Sequence, residues 1–355
     1  SWRVRINITM ADFNVNHITG KQGQQGTVLA GVTTVTSTGS MRIPSGPTEH
    51  RGGRGRGVIA GGFGDSPLNA YNDTIEYVEI ATTGNAIDFG DLSVARYVPA
   101  SFSSSTRGIN AGGEIPSNYS LAVDYIIISS QGGASDFGDL QIKHGYGSGL
   151  SDNTRGLVCG GHESASPALS SNVIEFFTIA STGDGTDFGD LTQDNAYSGG
   201  CASATRGVIG GGYFIETPAN VNYIDYVTIQ TRGNAQEFGD LNNLARMVGA
   251  CSSPTRGIFA GGGIPYINVI EYVTIATTGN ATDFGDLTVA RGWLGGTSNQ
   301  IRGIFAGGYT PAPTKFVNTI DYITVASIGN ATDFGDVLVE LGGKGACSDS
   351  HGGLG

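Results

Sequence analysis

The apolar residues of this 355-residue chain come in short bursts, with no long amphipathic stretch. Residues 256–302 show the unit. Arg256-Gly257-Ile258-Phe259-Ala260-Gly261-Gly262 is an apolar run closed by a glycine pair. After a loop, residues 269–276 (Val-Ile-Glu-Tyr-Val-Thr-Ile-Ala) are dense in β-branched and aromatic side chains, which suit a pleated surface. Gly279-Asn280 then suits a tight hairpin needing positive φ, and Gly84-Asn85, Gly132-Gly133, Gly183-Asp184, Gly233-Asn234 and Gly329-Asn330 hold the same place. Thr282-Asp283-Phe284-Gly285-Asp286-Leu287 reads as the return strand, and residues 289–300 as a small-residue strand leading to Arg302-Gly303. The unit is therefore four short antiparallel strands. Nothing shows a 3.6-residue period with helix caps. Val273 and Ile275 face one way while Ile270 and Tyr272 face the other, so both sides of the sheet are apolar. A sheet packed between two siblings has that pattern, and four-stranded sheets stacked around an axis form a β-propeller.

The unit recurs. Asp-Phe-Gly-Asp (once Glu-Phe-Gly-Asp) places a phenylalanine at Phe89, Phe137, Phe188, Phe238, Phe284 and Phe334, at intervals of 48, 51, 50, 46 and 50 residues. A period near fifty marks stacked supersecondary units, and residues present in every copy are expected to build the copy. The phenylalanines are thus read as blade cores. From each of the first five to the next Arg-Gly arginine (Arg107, Arg155, Arg206, Arg256, Arg302) is always 18 residues. From arginine to the following phenylalanine, starting at Arg56, the distance is 33, 30, 33, 32, 28 and 32. Length variation therefore falls after the glycine pair, in loops that strand parity places on one face with the inter-blade linkers. Such loops are where repeat proteins put their contacts. The side chains there that suit binding are Tyr71, Tyr119, Tyr213, Phe214, Tyr266 and Tyr309, with His162 beside Glu163.

The ends suggest how the ring closes. Thr38-Gly39-Ser40-Met41 lines up with Phe-Gly-Asp-Leu as a worn fourth strand, and residues 31–36 as a worn third. Gly345-Ala346-Cys347-Ser348 matches Gly249-Ala250-Cys251-Ser252, a first strand, and Gly353-Leu354-Gly355 begins a second. The fold class expected is all-β: a propeller of four-stranded blades, seven in number with six as the alternative, whose N- and C-terminal segments share the closing blade. Residues 27–355 form the propeller. Residues 1–26 form an extended arm that docks on another subunit and so offers a route to an oligomer; within it Met10 is an alternative start.

Composition narrows the classes. A net charge of -12 with 14% charged residues argues against a nucleic-acid partner, which would need a basic stripe. No run approaches 18 apolar residues, so no membrane insertion is expected, and the first residues lack a secretory h-region. The four cysteines are read as small buried thiols: Cys201, Cys251 and Cys347 at one repeat position, and Cys159 where other copies have alanine. No Cys-x-x-Cys occurs, and neither metal nor cofactor is expected.

Local motifs add little chemistry. Asp-Phe-Gly is a kinase signature, but here it recurs six times, once as Glu-Phe-Gly, with no His-Arg-Asp loop. Gly53-Arg54-Gly55-Arg56-Gly57 resembles a phosphate loop with no helix to follow it. Paired acids such as Asp283 and Asp286 are read as turn and strand-end caps in preference to calcium ligands. Asp91, Asp139, Asp190, Asp240 and Asp286 are expected to accept from the Arg-Gly arginines. The histidines His17, His50, His144, His162 and His351 stand apart and are read as surface residues, with no nucleophilic triad.

With the glycine pair, the aromatic fourth strand and the period in hand, the unit resembles the kelch repeat, with phenylalanine where that family has tryptophan. More closely, residues 256–262 and 270–287, and the lead-in 39–57, resemble repeats of virion structural proteins of marine, cyanophage-type tailed phages. The resemblance spans residues 10–355 and carries over no functional residue. It implies a virion component of tail, fibre or head surface, made in the host cytoplasm, whose partners are other virion proteins. The expected function is non-enzymatic: host attachment, the variable face binding a host-surface glycan or protein. A purely architectural role is the alternative, and a glycan-cleaving enzyme a further one.

Overall fold

The computed structural model describes residues 55–354 apart from 65–69, 117, 166–167, 217 and 312–314. Six four-stranded antiparallel sheets make a kelch-like β-propeller. Blade 1 joins Gly345–Ser348 to Arg56–Ala60, Thr74–Glu79 and Ile87–Asp91. Blade 2 is Ala100–Ser103, Arg107–Ala111, Ala122–Ile127 and Ser135–Asp139. Blade 3 is Ser148–Ser151, Arg155–Ala165, Ala168–Thr178 and Thr186–Asp190. Blade 4 is Gly199–Ala202, Arg206–Phe214, Ala219–Thr228 and Gln236–Asp240. Blade 5 is Gly249–Ser252, Arg256–Ala260, Val269–Thr274 and Thr282–Asp286. Blade 6 is Gly295–Ser298, Arg302–Ala306, Thr319–Thr324 and Thr332–Asp336.

Of the two blade counts, six is the one formed, and seven is corrected. The inner strands touch in one closed cycle, blade 6 meeting blade 1 and blade 1 meeting blade 2, so the described ring has no gap for another sheet. Closure is indeed shared, but in a ratio of one strand to three: Cys347 pairs with Val58 in blade 1. Gly352–Leu354 is a short 3-10 helix and not a second strand. The worn strands at 31–41, the arm 1–26, Met10, His17 and His50 lie outside the described residues.

The core sits between blades. Ile270 and Phe284 of blade 5 pack with Phe305 and Ile323 of blade 6, whereas Val273 and Ile275 turn toward Val208 and Phe238 of blade 4. All six repeat phenylalanines are buried. Each meets the third-strand ring of its own blade edge-on, as Phe284 does Tyr272 at 6.0 Å. The glycine that follows has a separate cause. At Gly138 φ is +148°, and an added Cβ would lie 2.6 Å from the backbone of Gly183 in blade 3. There the tight turn of one blade docks on the fourth strand of the previous one: Gly183 N–H donates to Phe137 O (2.8 Å) and Asp139 N–H to Asp184 Oδ1 (3.0 Å). The two repeated motifs, Asp-Phe-Gly-Asp and Gly-Asn, are therefore halves of one contact.

The arginines correct an expectation. They do not pair with the Asp-Phe-Gly-Asp carboxylates. Arg107, Arg155, Arg206 and Arg256 donate to the carbonyls of Ile179, Ile229, Ile275 and Val325 in the next blade. Arg302 reaches Ile80 and Ala81 of blade 1, and Arg56 reaches Ile128 and Glu79. Each lies 4.1–4.8 Å over a third-strand ring, from Tyr77 to Tyr322. A planar cation between a ring face and a carbonyl clamps blade to blade, and Arg56 alone adds a carboxylate, Glu79 of its own blade.

Each third strand instead buries one acid. Glu76 meets Lys344 Nζ at 2.6 Å, Asp321 meets Arg291 at 3.0 Å, and Asp124 pairs with Arg96. Glu175 has only His144, at 3.9 Å, and accepts N–H donors from Gln141 and Ile142. Asp225 and Glu271 rely on Thr192 and on Asn242 and Asn243. Burial without a cation pushes the Glu175, Asp225 and Glu271 carboxyls up. His144 is buried too, which holds its imidazole neutral, down to about 4. His144 and His162, expected at the surface, are buried, and His351 is half-buried.

Candidate binding face

Antiparallel order puts the loops between second and third strands, and the linkers between blades, on one face. In blades 3 and 4 that loop is a long hairpin extending both strands. In blades 1 and 2 it carries a small hairpin of its own, Phe63–Gly64 with Ala70–Tyr71 and Glu114–Ile115 with Asn118–Tyr119.

The linkers meet at the axis. The residue nine positions after each repeat phenylalanine is Val98, Tyr146, Tyr197, Met247, Trp293 or Gly343, and all six have φ between +48° and +64°. Five are not glycine, and a left-handed residue with a Cβ costs about 1–2 kcal/mol. Their backbones form a cycle of hydrogen bonds. Val98 N–H donates to Gly343 O, Gly343 to Trp293, Trp293 to Met247, Met247 to Tyr197, Tyr197 to Tyr146 and Tyr146 to Val98, at 2.8–3.4 Å. The cycle rings the axis on this face and lines a cavity of about 90 Å³.

The same geometry gathers aromatic rings. Tyr146 lies 4.5 Å from Tyr197 and 5.7 Å from Trp293, and Tyr97 lies 5.0 Å from Trp293. All four are half-buried. Glu114 accepts from Tyr71 (2.7 Å) and Tyr146. Burial, then Glu114, raises the Tyr71 hydroxyl to about 12.

Sequence reasoning named part of this assembly. Tyr119 and His162 come together, Oη to Nδ1 at 3.1 Å, beneath the Tyr146 ring; both are buried, and His162 Nε2 has no partner. Tyr266 lies 5.6 Å from Tyr309, and Tyr309 5.1 Å from Phe316. Tyr213 sits 6.0 Å from Tyr197, under the Arg246 guanidinium at 4.2 Å. Phe214 turns to Tyr223, and Glu163 is half-buried with no described ring or ion-pair contact. Sequence reasoning missed Phe63, Tyr97, Tyr146, Tyr197, Arg246, Trp293 and Phe316. The available signal was the constant nine-residue offset, within a stretch read as plain strand.

The opposite mouth is built differently. Gly352–Leu354 packs on the inner strands of blades 3, 4 and 5. Above it, the last inner-strand residues hand hydroxyls around the axis. Ser103 Oγ donates to Ser348 O (2.6 Å), Ser298 to Ser252 (2.7 Å), Ser252 to Ala202 (2.8 Å) and Ser151 to Ser103 (2.7 Å), with Ser348 bonded to Ser298. Ala202 is the one position of the six without a hydroxyl. His351 Nε2 lies 3.3 Å from Ser151 Oγ, yet this is no catalytic dyad. Nε2–H donates to Ser103 O (3.0 Å) while Nδ1 accepts from Gly353 N–H (3.1 Å), so Nε2 has no lone pair for a serine proton. The axial cavity here measures about 50 Å³, and neither axial cavity is lined by a carboxylate. Among the described residues no three His, Cys, Asp or Glu side chains converge as a metal site. The four cysteines are free and buried, which pushes Cys201 and Cys347 up to about 12.

The fold and this face define a six-bladed propeller with an aromatic, polar-edged loop face and a narrow axis. No protein-family model matches the chain, and no curated protein is significantly similar to it.

Proposed function

We propose that this propeller is a non-enzymatic component of a tailed-phage particle whose loop face attaches to a glycan or protein on the host surface. One observation carries the binding half: five non-glycine residues held in left-handed backbone collect half-buried rings around one end of the axis. Strain of that kind concentrates where geometry serves contact. Half-exposed rings with polar edges suit both the C–H face of a sugar and an aromatic hot spot of a protein. The virion half rests on the resemblance of residues 256–287 to phage structural repeats. Two measurements test the reading. Antibody to the purified chain should decorate intact particles, and free chain should compete with particle adsorption to host cells. Undecorated particles overturn the virion role; decorated particles whose adsorption is untouched leave the architectural role.

A further inference from the structure

Every other described arginine that is not fully exposed donates to a carbonyl or a carboxylate. Arg246 does neither. It is half-buried, its Nε is buried without a partner, and no described ion pair includes it. Its backbone is pinned, bridging to Gly263 of the blade 5 loop. Its guanidinium lies 4.2 Å over Tyr213 and 6.0 Å from the Tyr197 centroid. The same charge acts on Tyr266, and Tyr197 lies 5.3 Å from Trp293. An arginine thus lies over Tyr213 and beside Tyr197 with its fork unclaimed, on a protein of net charge -12.

We propose that Arg246, with Tyr197, Tyr213, Tyr266 and Trp293, forms a subsite for an acidic saccharide, the guanidinium taking the acid group and the rings the pyranose face. A planar fork matches a planar carboxylate with two parallel hydrogen bonds. One isolated cation on an acidic surface suits a sparsely charged sugar chain. It does not suit a polyanion, which the net charge repels. The inference rests on the glycan branch of the proposed function and deepens it.

The test uses the full chain on a glycan array carrying oligosaccharides with a single uronic acid, sialylated oligosaccharides and their carboxyl-reduced counterparts. Hits are then titrated in solution by intrinsic tryptophan fluorescence, with Trp293 beside the proposed subsite. Acidic glycans should bind and their reduced counterparts should bind about tenfold more weakly, the scale of one charge-assisted pair. Arg246→Gln should erase that preference while keeping any neutral affinity, and Arg246→Lys should restore part of it. Equal binding of acidic and neutral glycans, unmoved by Arg246→Gln, overturns the acid anchor and leaves glycan attachment standing. Binding of no glycan overturns both. An Arg246→Gln chain that unfolds at the wild-type temperature yet keeps the acidic preference also overturns the anchor.

Discussion

His144 offers a sharp test of the blade-to-blade polar layer. It lies in the linker between blades 2 and 3 and is 6% exposed. Its imidazole interacts with the Gly160 backbone, and Nε2 looks at Glu175 Oε1 from 3.9 Å, too far to share a proton. Glu175 is the titratable group that faces it, with Asp187 acting on Glu175 from behind. Desolvation takes the imidazole from 6.5 to about 4. The folded value lies below the unfolded one, so the unfolded chain binds more protons between them. The contribution is complete above pH 6.5 and is lost as pH falls toward 4. The full shift is worth about 3 kcal/mol, of which about 2 kcal/mol is gone by pH 5.

The direct measurement is the imidazole Cε1–H NMR titration of the folded chain, in which His144 should not move until pH approaches about 4. The thermodynamic one is urea unfolding at pH 7.5 and pH 5 for wild type and His144→Gln. Glutamine keeps a donor for Gly160 O but does not titrate. The variant should be weaker at pH 7.5 and should lose about 2 kcal/mol less than wild type on acidification. His162, also down to about 4, and His351, lowered by burial, add to the wild-type loss and are common to both chains. Glu175, Asp225 and Glu271 act in the opposite sense, because their raised carboxyls favour the folded state as they protonate. A variant whose pH 7.5-to-5 loss equals that of wild type, or an imidazole titrating near 6.5, would refute the reasoning.

Gly138→Ala and Gly132→Ala share φ near +150°, but only the first puts its Cβ 2.6 Å from the next blade, so it should be less stable by a further 1–3 kcal/mol or so in chemical denaturation. Equal losses would remove the docking argument for the Asp-Phe-Gly-Asp glycine. Ala202→Ser supplies the missing hydroxyl of the axial cycle and should stabilise by about 1 kcal/mol in calorimetry; an unchanged or lower midpoint counts against the cycle. Phe284→Ala, emptying a 2%-exposed site between blades 5 and 6, should cost about 3–5 kcal/mol in urea unfolding.

The blade was legible because its determinants are local. Alternating Ile270/Tyr272 and Val273/Ile275 state that both sheet faces are covered, and the clusters on each side agree. What was illegible depends on partners without a sequence signature. Arg256 seeks the carbonyl of Val325, and any residue can supply a carbonyl, so the regular acid of Asp-Phe-Gly-Asp was the visible but wrong choice. The buried histidines gave no local sign, because what buries His144 is the neighbouring blade. The loop-face ring was hidden by its own diversity. Valine, tyrosine, methionine, tryptophan and glycine share a backbone conformation at one offset, and only the backbone is repeated. Tyr266, Tyr309 and Tyr213 were found because they fall in segments of variable length; Tyr146, Tyr197 and Trp293 fall in the constant one.

The blade count has a physical cause at the axis. The second residue of each inner strand is Ser101, Gly149, Gly200, Ala250, Gly296 or Ala346, all small. A Cβ at Gly149 would run into Ser101 O and one at Gly296 into Ala250 O, while at Gly200 it would lie 2.8 Å from Gly149 O. Six strands already bring these backbones to the closest distance glycine and alanine allow. A seventh blade would widen the axis and leave that small-residue lining unpacked, at a cost that grows with the void. Single linkers ring one mouth of that narrow axis and a three-residue helix packs at the other. The tight turns that dock blade on blade lie on one face, and the proposed binding uses the other, where the loops vary in length and side chain.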